Sequence, residues 1–322
     1  MKEVVGFTGN LFRFGSYSII NTTMKQSRRA FLQSAALAAA GIPLLSAASS
    51  GMANKAKTRF DISLAEWSLH RALFANEMTN LDFPVRAAKE FGIYGVEYVN
   101  VFFKDTSTAY LTELLKVTRD NNVTNVLIMV DREGSLGDAD KAAREQAVIN
   151  HHKWVEAAAF LGCHSIRVNA AGQGTQEEVA NAVVESLTKL SEFAAKTNIN
   201  VIVENHGGYS SNGKWLSGVM QRVNLKNCGT LPDFGNFRIS ADEEYDRYMG
   251  IAELMPFAKG VSAKSHDFDA EGNEVHTDFA RMMQIVRDSG YTGWIDVEYE
   301  GSKLSEPEGI MATKKLLEKL IS

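Results

Sequence analysis

Four apolar runs in the second half of the chain end in a carboxylate or an imidazole, and each is followed by a glycine or a polar loop. The ionisable residues at these ends are Glu204, Asp233, His266 and Glu298. They lie about 30 residues apart, which is the length of one βα unit. If each run is a parallel strand, the four side chains meet at the carboxyl end of one sheet. Three carboxylates and one imidazole at such an edge would suit a divalent cation.

The apolar surroundings of these carboxylates favour a functional role. Glu204 follows Val-Ile-Val and Glu298 follows Trp-Ile-Asp-Val, so both are expected inside the fold, where an unpaired charge is costly. The structural alternative is an ion pair with Arg167 or Lys264, but four groups from four consecutive strands exceed what one pair needs. Glu97, which follows Gly-Val in an earlier run, is interpreted as a structural polar residue of the interior.

The elements that must position these residues follow an alternating pattern from about residue 58 onward. Short apolar runs predict strands at residues 60–67, 95–100, 125–130, 165–169, 200–204, 229–231, 260–266 and 294–299. Amphipathic segments between them predict helices at residues 83–91, 111–121, 138–161, 176–196, 216–223, 242–254, 277–289 and 306–321. Several helices end at a glycine two to four residues before the next strand, as αβ loops require.

This alternation predicts an α/β fold, a single (β/α)8 TIM barrel. A doubly wound sheet would need a glycine-rich phosphate turn after an early strand, and the sequence has none.

From about residue 60 to residue 322 the chain resembles the xylose isomerase-like barrel superfamily, which includes sugar isomerases, ketose 3-epimerases, inosose dehydratases and apurinic endonucleases. The resemblance rests on VENH at residues 203–206, DFGN at 233–236, AKSHD at 263–267 and GWIDVEYEG at 293–301. It implies a site for Mn²⁺, Mg²⁺, Co²⁺ or Zn²⁺ whose ligands are Glu204, Asp233, His266 and Glu298.

Two positions depart from the pattern of that superfamily. Asn236 stands where many relatives have a histidine, and Lys264 stands at the usual place of the strand-seven histidine. We expect His266, one inward-facing step further along, to be the ligand and Lys264 to be a polar catalytic partner. In the alternative, Lys264 replaces the ligand and the metal is weak or absent. A lysine with a depressed pKa could then act as a base or form a Schiff base.

Other polar and aromatic residues are expected near the substrate. Arg167 and Asn169 alternate inward on strand four and could hold sugar hydroxyls, although polar packing of the interior is an equal alternative. His206 is expected to bind substrate or support the site, and Trp67 to form a wall on which a sugar stacks. Asp131, in the loop after strand three, is assigned to the rim only.

The resemblance and the residues together predict a divalent metal-dependent isomerase or epimerase, with a keto-sugar lyase or hydratase as a further option. Its substrate would be an unphosphorylated small-molecule carbohydrate, and its reaction would begin with proton abstraction beside a carbonyl. Glu204 and Glu298 would bind the metal and double as acid and base, with Lys264 as the third catalytic residue. The alternative is a non-catalytic periplasmic sugar-binding barrel. A phosphodiesterase on abasic DNA ranks last, because the additional zinc-binding histidines are missing.

Composition agrees with a globular enzyme. The 322 residues are 45% hydrophobic and 23% charged, and the net charge is −5. With no basic stripe, nucleic acid is not an expected partner. A homo-oligomer is compatible with the sequence. The two cysteines, Cys163 and Cys228, each precede a predicted strand and are expected to be buried free thiols.

The N-terminal region predicts export. SRRAFLQ at residues 27–33 resembles a twin-arginine signal, and an Ala- and Leu-rich segment with small residues for cleavage follows. We therefore expect an upstream extension at residues 1–23, a signal peptide at 24–53 and the barrel at 58–322, with a periplasmic or otherwise exported location. The apolar segment is too short and too Ala-rich for stable membrane insertion, and an uncleaved N-terminal anchor is the alternative.

Overall fold

The computed structural model describes residues 60–321, and eight strands form its centre. They are β1 (Phe60–Ala65), β2 (Gly95–Val99), β3 (Thr124–Met129), β4 (Ser165–Val168), β5 (Asn200–Glu204), β6 (Cys228–Leu231), β7 (Val261–Ser265) and β8 (Gly293–Tyr299). The sheet order is β6-β5-β4-β3-β2-β1-β8-β7, and all paired neighbours run parallel. The predicted upstream extension and signal peptide lie outside the described residues.

The sheet closes into a barrel between β6 and β7. No continuous ladder joins these two strands within the described residues, but isolated parallel bridges pair Thr230 with Ala258 and Asp233 with Ser262. The Ser262 N–H donates to the carbonyl of Pro232 at 2.9 Å, and the Ser262 carbonyl accepts from the Phe234 N–H at 3.0 Å. The predicted (β/α)8 barrel is confirmed.

Helices surround the barrel and alternate with its strands. They are α1 (His70–Phe74), α2 (Phe83–Lys89), α3 (Thr108–Asp120), α4 (Lys141–Leu161), α5 (Gln176–Ala194), α6 (Gly213–Val223), α7 (Arg247–Leu254), α8 (Phe279–Asp288) and α9 (Glu306–Ile321). Their boundaries follow local signals. α4 begins after the N-cap Asp140 and ends at Gly162, whose φ of 77° places it in the left-handed region that favours glycine.

The largest differences from the predicted helices are at α1 and α7. The short α1 was not predicted, since five residues hold too little periodicity to be recognised. The helix predicted at residues 242–254 begins only at Arg247, because Arg238 and Glu244 form an antiparallel bridge and Asp246 caps the helix. The chain between them is a structured loop above the barrel.

Apolar side chains fill two regions. The larger core lies between the strands and the helices and includes Tyr98, Phe237 and Tyr299, all fully buried. A smaller cluster that includes Leu127, Ile202 and Leu231 packs separately. Since alternate residues of a strand point to opposite faces, this second cluster fills the barrel interior. It forms a packed apolar layer beneath the polar carboxyl end of the strands.

Two simpler predictions can also be compared with the structure. Cys163 and Cys228 are free thiols, the first buried and the second half-buried. Among residues 60–321, none of the helices has the length and apolar character that crossing a membrane requires.

Candidate active site

Three carboxylates converge at the carboxyl end of the barrel. Glu204 ends β5, Asp233 follows β6 and Glu298 lies near the end of β8. Each offers one oxygen atom to a group whose members all lie within 4.8 Å of one another. All three side chains are buried, with at most 4% of their surface exposed. Three of the four predicted ligands are therefore gathered at one point.

Strand register explains this convergence. Glu204 is paired with Leu231 across β5 and β6, and Lys264 is paired with Glu298 across β7 and β8. Asp233 is paired with Ser262 at the bridge that closes the barrel. Ser262 lies two residues before Lys264, so both side chains point to the same side of β7. The side chains of these strand ends therefore point to the same axis.

Lys264 lies among the carboxylates rather than beside them. Its Nζ atom is 3.2 Å from Glu298 Oε1, 3.7 Å from Asp233 Oδ2 and 3.3 Å from Glu300 Oε2. Burial alone would lower the pKa of Lys264, but the surrounding carboxylates raise it well above its usual value. The ammonium form is therefore stable here, and the depressed pKa that a lysine base or Schiff base would need is not found.

The backbone leaves room for this ammonium. A Cβ atom on Gly235 would lie 3.2 Å from two methylene carbons of Lys264. The glycine that follows Asp233 and Phe234 thus lets the β6 loop approach the lysine stem closely.

Arg167 provides the second buried cation. Its Nε atom is 2.9 Å from Glu204 Oε2, and its Nη1 atom is 2.8 Å from Asp131 Oδ1. Asn169 also donates to Asp131 Oδ1, at 2.7 Å. The arginine lowers the pKa of Asp131 despite burial. Arg167 and Asn169 therefore form an ionic network with Glu204, and Asp131, assigned only to the rim from the sequence, belongs to it.

Neutral donors fix the remaining carboxylate oxygens. Asn236 Nδ2 donates to Glu204 Oε1 at 3.0 Å, and Ser262 Oγ donates to Glu298 Oε2 at 2.9 Å. The Asn236 backbone N–H donates to Asp233 Oδ1 at 2.7 Å. The residue that replaces the expected histidine therefore still contacts two of the three carboxylates.

Asn205 ties the β5 end to the β6 loop. It is fully buried, and its side-chain oxygen accepts from the Asp233 N–H at 2.8 Å. Its side-chain nitrogen donates to the carbonyls of Asp233 and Asn236, at 3.0 and 3.1 Å. These three hydrogen bonds set the position of Asp233 relative to Glu204. The only sequence signal for this role of Asn205 was its position directly after Glu204.

Two of the carboxyl groups, those of Asp233 and Glu298, have raised pKa values. Burial raises the pKa of Asp233 and of Glu298, and repulsion from Glu204 adds to the effect, while Lys264 opposes it. Asp233 Oδ2 is buried and has no hydrogen-bond partner among the described residues. The site therefore holds excess negative charge that a cation would neutralise.

Glu300 and Trp67 form the side of the site next to β1. The Trp67 indole N–H donates to Glu300 Oε1, and Lys264 lowers the pKa of Glu300 in spite of burial. The Trp67 ring stacks on His70 with ring centroids 4.9 Å apart and contacts Phe102 at 6.1 Å. Trp67 therefore lies beside the carboxylates, and its role as a wall for a sugar stays a prediction. Glu300 is a contact that sequence reasoning did not include.

Below this layer lies an acid pair. Glu97 on β2 accepts a hydrogen bond from Ser63 Oγ at 2.7 Å, and Asp296 on β8 lies close enough to interact with it electrostatically. Burial raises the pKa of Glu97 to about 7 and that of Asp296 well above its usual value. Burial therefore favours the protonated form of both carboxyl groups, and the interpretation of Glu97 as a structural residue stays a prediction.

His266 and His206 lie further out. β7 ends at Ser265, and the His266 N–H donates to Glu274 Oε1 at 3.2 Å. Both histidines line a cavity of about 510 Å³ together with Asn236. Among the described residues, His266 is not a member of the close carboxylate group, and its role as a metal ligand stays a prediction.

The chain matches the family described as "Xylose isomerase-like TIM barrel" over residues 85–320. It belongs to this family. No curated protein sequence matches the chain at a significant level.

Solved structures share the fold at low sequence identity. A xylose isomerase-like TIM barrel protein from Mycobacterium smegmatis in complex with magnesium is 17% identical, with a TM-score of 0.59 over 74% of this chain and 87% of its own. D-psicose 3-epimerase from Clostridium cellulolyticum H10 with D-tagatose is 11% identical, with a TM-score of 0.62 over 82% and 100%. The 3-keto-D-glucoside 4-epimerase of E. coli is 15% identical, with a TM-score of 0.59 over 81% and 99%.

The residues at the barrel end fit a divalent cation. Glu204, Asp233 and Glu298 supply three hard oxygen donors, the ligand type preferred by Mg²⁺ and Mn²⁺. Asp233 Oδ2 has no hydrogen-bond donor to satisfy it. Lys264 competes for the same oxygens, so an ion would have to displace the ammonium or share the carboxylates with it.

Proposed function

We propose that this protein is a divalent metal-dependent isomerase or epimerase that acts on a small carbohydrate by moving a proton beside a carbonyl. The observation that carries the proposal is the convergence of three buried carboxylates within 4.8 Å at the carboxyl end of the barrel. In TIM-barrel enzymes this is the face on which active sites lie. Elimination from, or hydration of, a keto-sugar would begin with the same proton transfer and remains a branch of the proposal.

The residues of the chain divide the work as follows. A metal held by Glu204, Asp233 and Glu298 would polarise the carbonyl and stabilise negative charge on its oxygen. Glu298, buried near the end of β8 with Ser262 on Oε2 and Lys264 near Oε1, serves as one proton-transfer group. Glu204, held by Arg167 at 2.9 Å, serves as the second proton-transfer group. The Lys264 ammonium holds the carboxylates in place and stabilises negative charge.

Two of the structural neighbours support the substrate class. One acts on D-psicose and was solved with D-tagatose, and the other on a 3-keto-D-glucoside. Trp67, stacked on His70 beside Glu300, offers the aromatic surface on which the apolar face of a sugar packs. Arg167 and Asn169 are less available for substrate than the sequence suggested, because both contact Asp131.

The test compares the wild-type protein with the Glu298→Gln variant, each protein loaded with Mn²⁺, Mg²⁺, Co²⁺ or Zn²⁺. Turnover is measured on a panel of ketoses and 3-keto-glucosides. Product formation by the wild type and a loss of about 10²-fold or more in the variant is the expected result. Glu308→Gln, an exposed carboxylate of α9, is the matched control and should keep full activity. Turnover retained by Glu298→Gln would remove this residue from the mechanism.

A second candidate is a non-catalytic sugar-binding barrel. It is favoured by the ion pairs of Lys264 and Arg167, which offset part of the charge of the carboxylates without a metal. Metal analysis of the purified protein distinguishes the two. If no divalent ion binds and none restores turnover, the binding protein is the better account.

We further propose that the enzyme works outside the cytoplasm, on the basis of Arg28 and Arg29 in the twin-arginine pattern. Cell fractionation should find it in the periplasm, and replacing both arginines with lysine should retain it inside. Equal distribution of the two forms would contradict the proposal.

A further inference from the structure

The cavity above the carboxylates is lined by basic side chains. Its volume is about 510 Å³, within the range of small-molecule sites. Among its lining residues are two arginines and three histidines but only one carboxylate, that of Glu244. The charged residues are Arg238, Arg247 and Glu244, and the histidines are His206, His266 and His276.

Arg247 is already engaged in holding the loops together. It pairs with Glu244 and donates to the His276 carbonyl at 3.0 Å and to Thr277 Oγ1 at 2.6 Å. It therefore neutralises the single carboxylate of the lining and joins the loop after β6 to the loop after β7. Its guanidinium has little capacity left for a ligand.

Arg238 is the cation that remains. Its side chain is exposed, and its one hydrogen bond is a long contact of 3.4 Å from Nη1 to the Ala241 carbonyl. Within residues 60–321, none of the carboxylates lies within 4.0 Å of this guanidinium. A guanidinium without a carboxylate partner at the wall of a cavity can bind an oxyanion through two parallel hydrogen bonds.

The backbone of Arg238 is held in place. Its neighbour Phe237 is fully buried, and the Phe237 carbonyl accepts from the Tyr245 N–H at 2.8 Å. Arg238 itself forms the antiparallel bridge with Glu244. Because the backbone at this position is already ordered, binding a ligand there carries only the entropy cost of ordering the side chain.

We propose that the substrate is an anionic sugar, whose carboxylate or phosphate or sulfate ester binds Arg238 while its carbonyl lies at Glu204, Asp233 and Glu298. This inference rests on the proposed function for the position of the carbonyl. Arg167 and Lys264 offset part of the charge of the deep carboxylates, and the divalent ion of the proposed function would offset the rest. A second carboxylate near the cavity, Asp267, is paired with His276 and Lys303.

The test measures binding of non-reacting glycosides to the full chain by calorimetry. Methyl glucuronoside should bind about tenfold or more tightly than methyl glucoside, since a hydrogen-bonded charge pair is worth at least one decade in affinity. Arg238→Gln should remove this preference, and Arg238→Lys should restore part of it. Equal binding of the two glycosides by the wild type, or a preference retained by Arg238→Gln, would overturn the proposal.

A control variant and further ligands distinguish failure of the Arg238 subsite from failure of the proposed function. Arg119→Gln removes the same charge from the end of α3, which leads to the amino end of β3, and should bind as the wild type does. Glucose 6-phosphate and glucose 6-sulfate, tested beside the glucuronoside, show which oxyanion binds best. Preference for the anionic glycoside with no proton transfer on any keto-sugar supports the subsite and contradicts the proposed function. Turnover of a neutral keto-sugar without a preference for the anionic glycoside supports the proposed function and contradicts the anionic subsite.

Discussion

Replacing Lys264 with methionine tests whether its ammonium and a metal ion serve the same carboxylates. The lysine is 3% exposed and its Nζ atom lies within 3.7 Å of carboxylates on β8 and on the β6 loop. Methionine has a similar length and no charge. In the metal-free variant, Asp233 and Glu298 lose the cation that offsets their burial.

The expected magnitude follows from the geometry. Removing one partner from a buried ion pair costs about 3–5 kcal/mol of folding stability, because the other charge stays buried and unpaired. With EDTA present, Lys264→Met should therefore unfold at a much lower urea concentration than the wild type. With a divalent ion present, the variant should recover, because the ion no longer competes with the ammonium. The gain from metal should be larger in the variant by at least about 1.4 kcal/mol, a factor of ten in affinity.

The assay is urea unfolding followed by circular dichroism, with EDTA or with Mn²⁺, together with calorimetric titration of Mn²⁺. Lys116→Met is the matched control, since this lysine pairs with Asp120 on the exposed face of α3, and such pairs contribute only about 0.3–0.5 kcal/mol. Two results would refute the reasoning. One is a metal-free Lys264→Met variant as stable as the wild type, and the other is an equal gain from metal in both proteins.

Three further predictions concern buried groups of the barrel. Because burial raises the pKa of Glu97 from 4.5 to about 7, the folded state prefers the protonated form, so stability falls as the pH rises through that range. In urea unfolding with EDTA, Glu97→Gln should remove up to about 3 kcal/mol of this loss of stability. The control Glu113→Gln, on the surface, should leave the pH profile of stability unchanged. Identical profiles for both variants would show that Glu97 does not titrate in this way. Asn205→Ala breaks three buried hydrogen bonds. It should lower the Mn²⁺ affinity measured by calorimetry about 10–100-fold, as mutation of residues that support metal ligands typically does. Unchanged affinity would mean that Asp233 does not need Asn205 to hold its position. Burial raises the pKa of the Cys163 thiol well above its usual value, and it raises the pKa of the Cys228 thiol to about 11. A thiol reagent should therefore label neither cysteine before unfolding, and a reductant should not change the Tm. Rapid labelling of the native protein would contradict this prediction.

The barrel could be predicted from the sequence because its signals are local. Glycines such as Gly162 end helices shortly before strands, and the apolar runs have the length of buried strands. The same runs placed Glu204, Asp233 and Glu298 correctly, since a carboxylate that ends a barrel strand has one face on which to lie. Strand order then brings the three together without further information.

His266 shows how far that reasoning reaches. The prediction assumed that β7 stays extended through residue 266, so that Lys264 and His266 would point the same way. The strand ends at Ser265, and the chain turns so that the His266 N–H contacts Glu274. Alternation carries no information beyond the last extended residue.

Contacts between loops were equally out of reach. Asp131 meets Arg167 from the loop after β3, and Glu300 meets Trp67 across more than two hundred residues of sequence. Such contacts depend on how each loop leaves its strand, for which residue type and spacing give no rule. The late start of α7 has the same origin, because the bridge between Arg238 and Glu244 competes with helix formation.

The central claim, proton transfer beside a sugar carbonyl at the three carboxylates, is tested most directly by NMR in deuterated water. Metal-loaded protein is incubated with mono- and disaccharides and their 3-keto derivatives, and the hydrogen beside the carbonyl is followed with and without EDTA. The account predicts that deuterium enters this position of at least one sugar, even without net conversion, and that EDTA and Glu298→Gln each stop it. Absence of exchange with every sugar and metal, or exchange that persists in both EDTA and the variant, would contradict it.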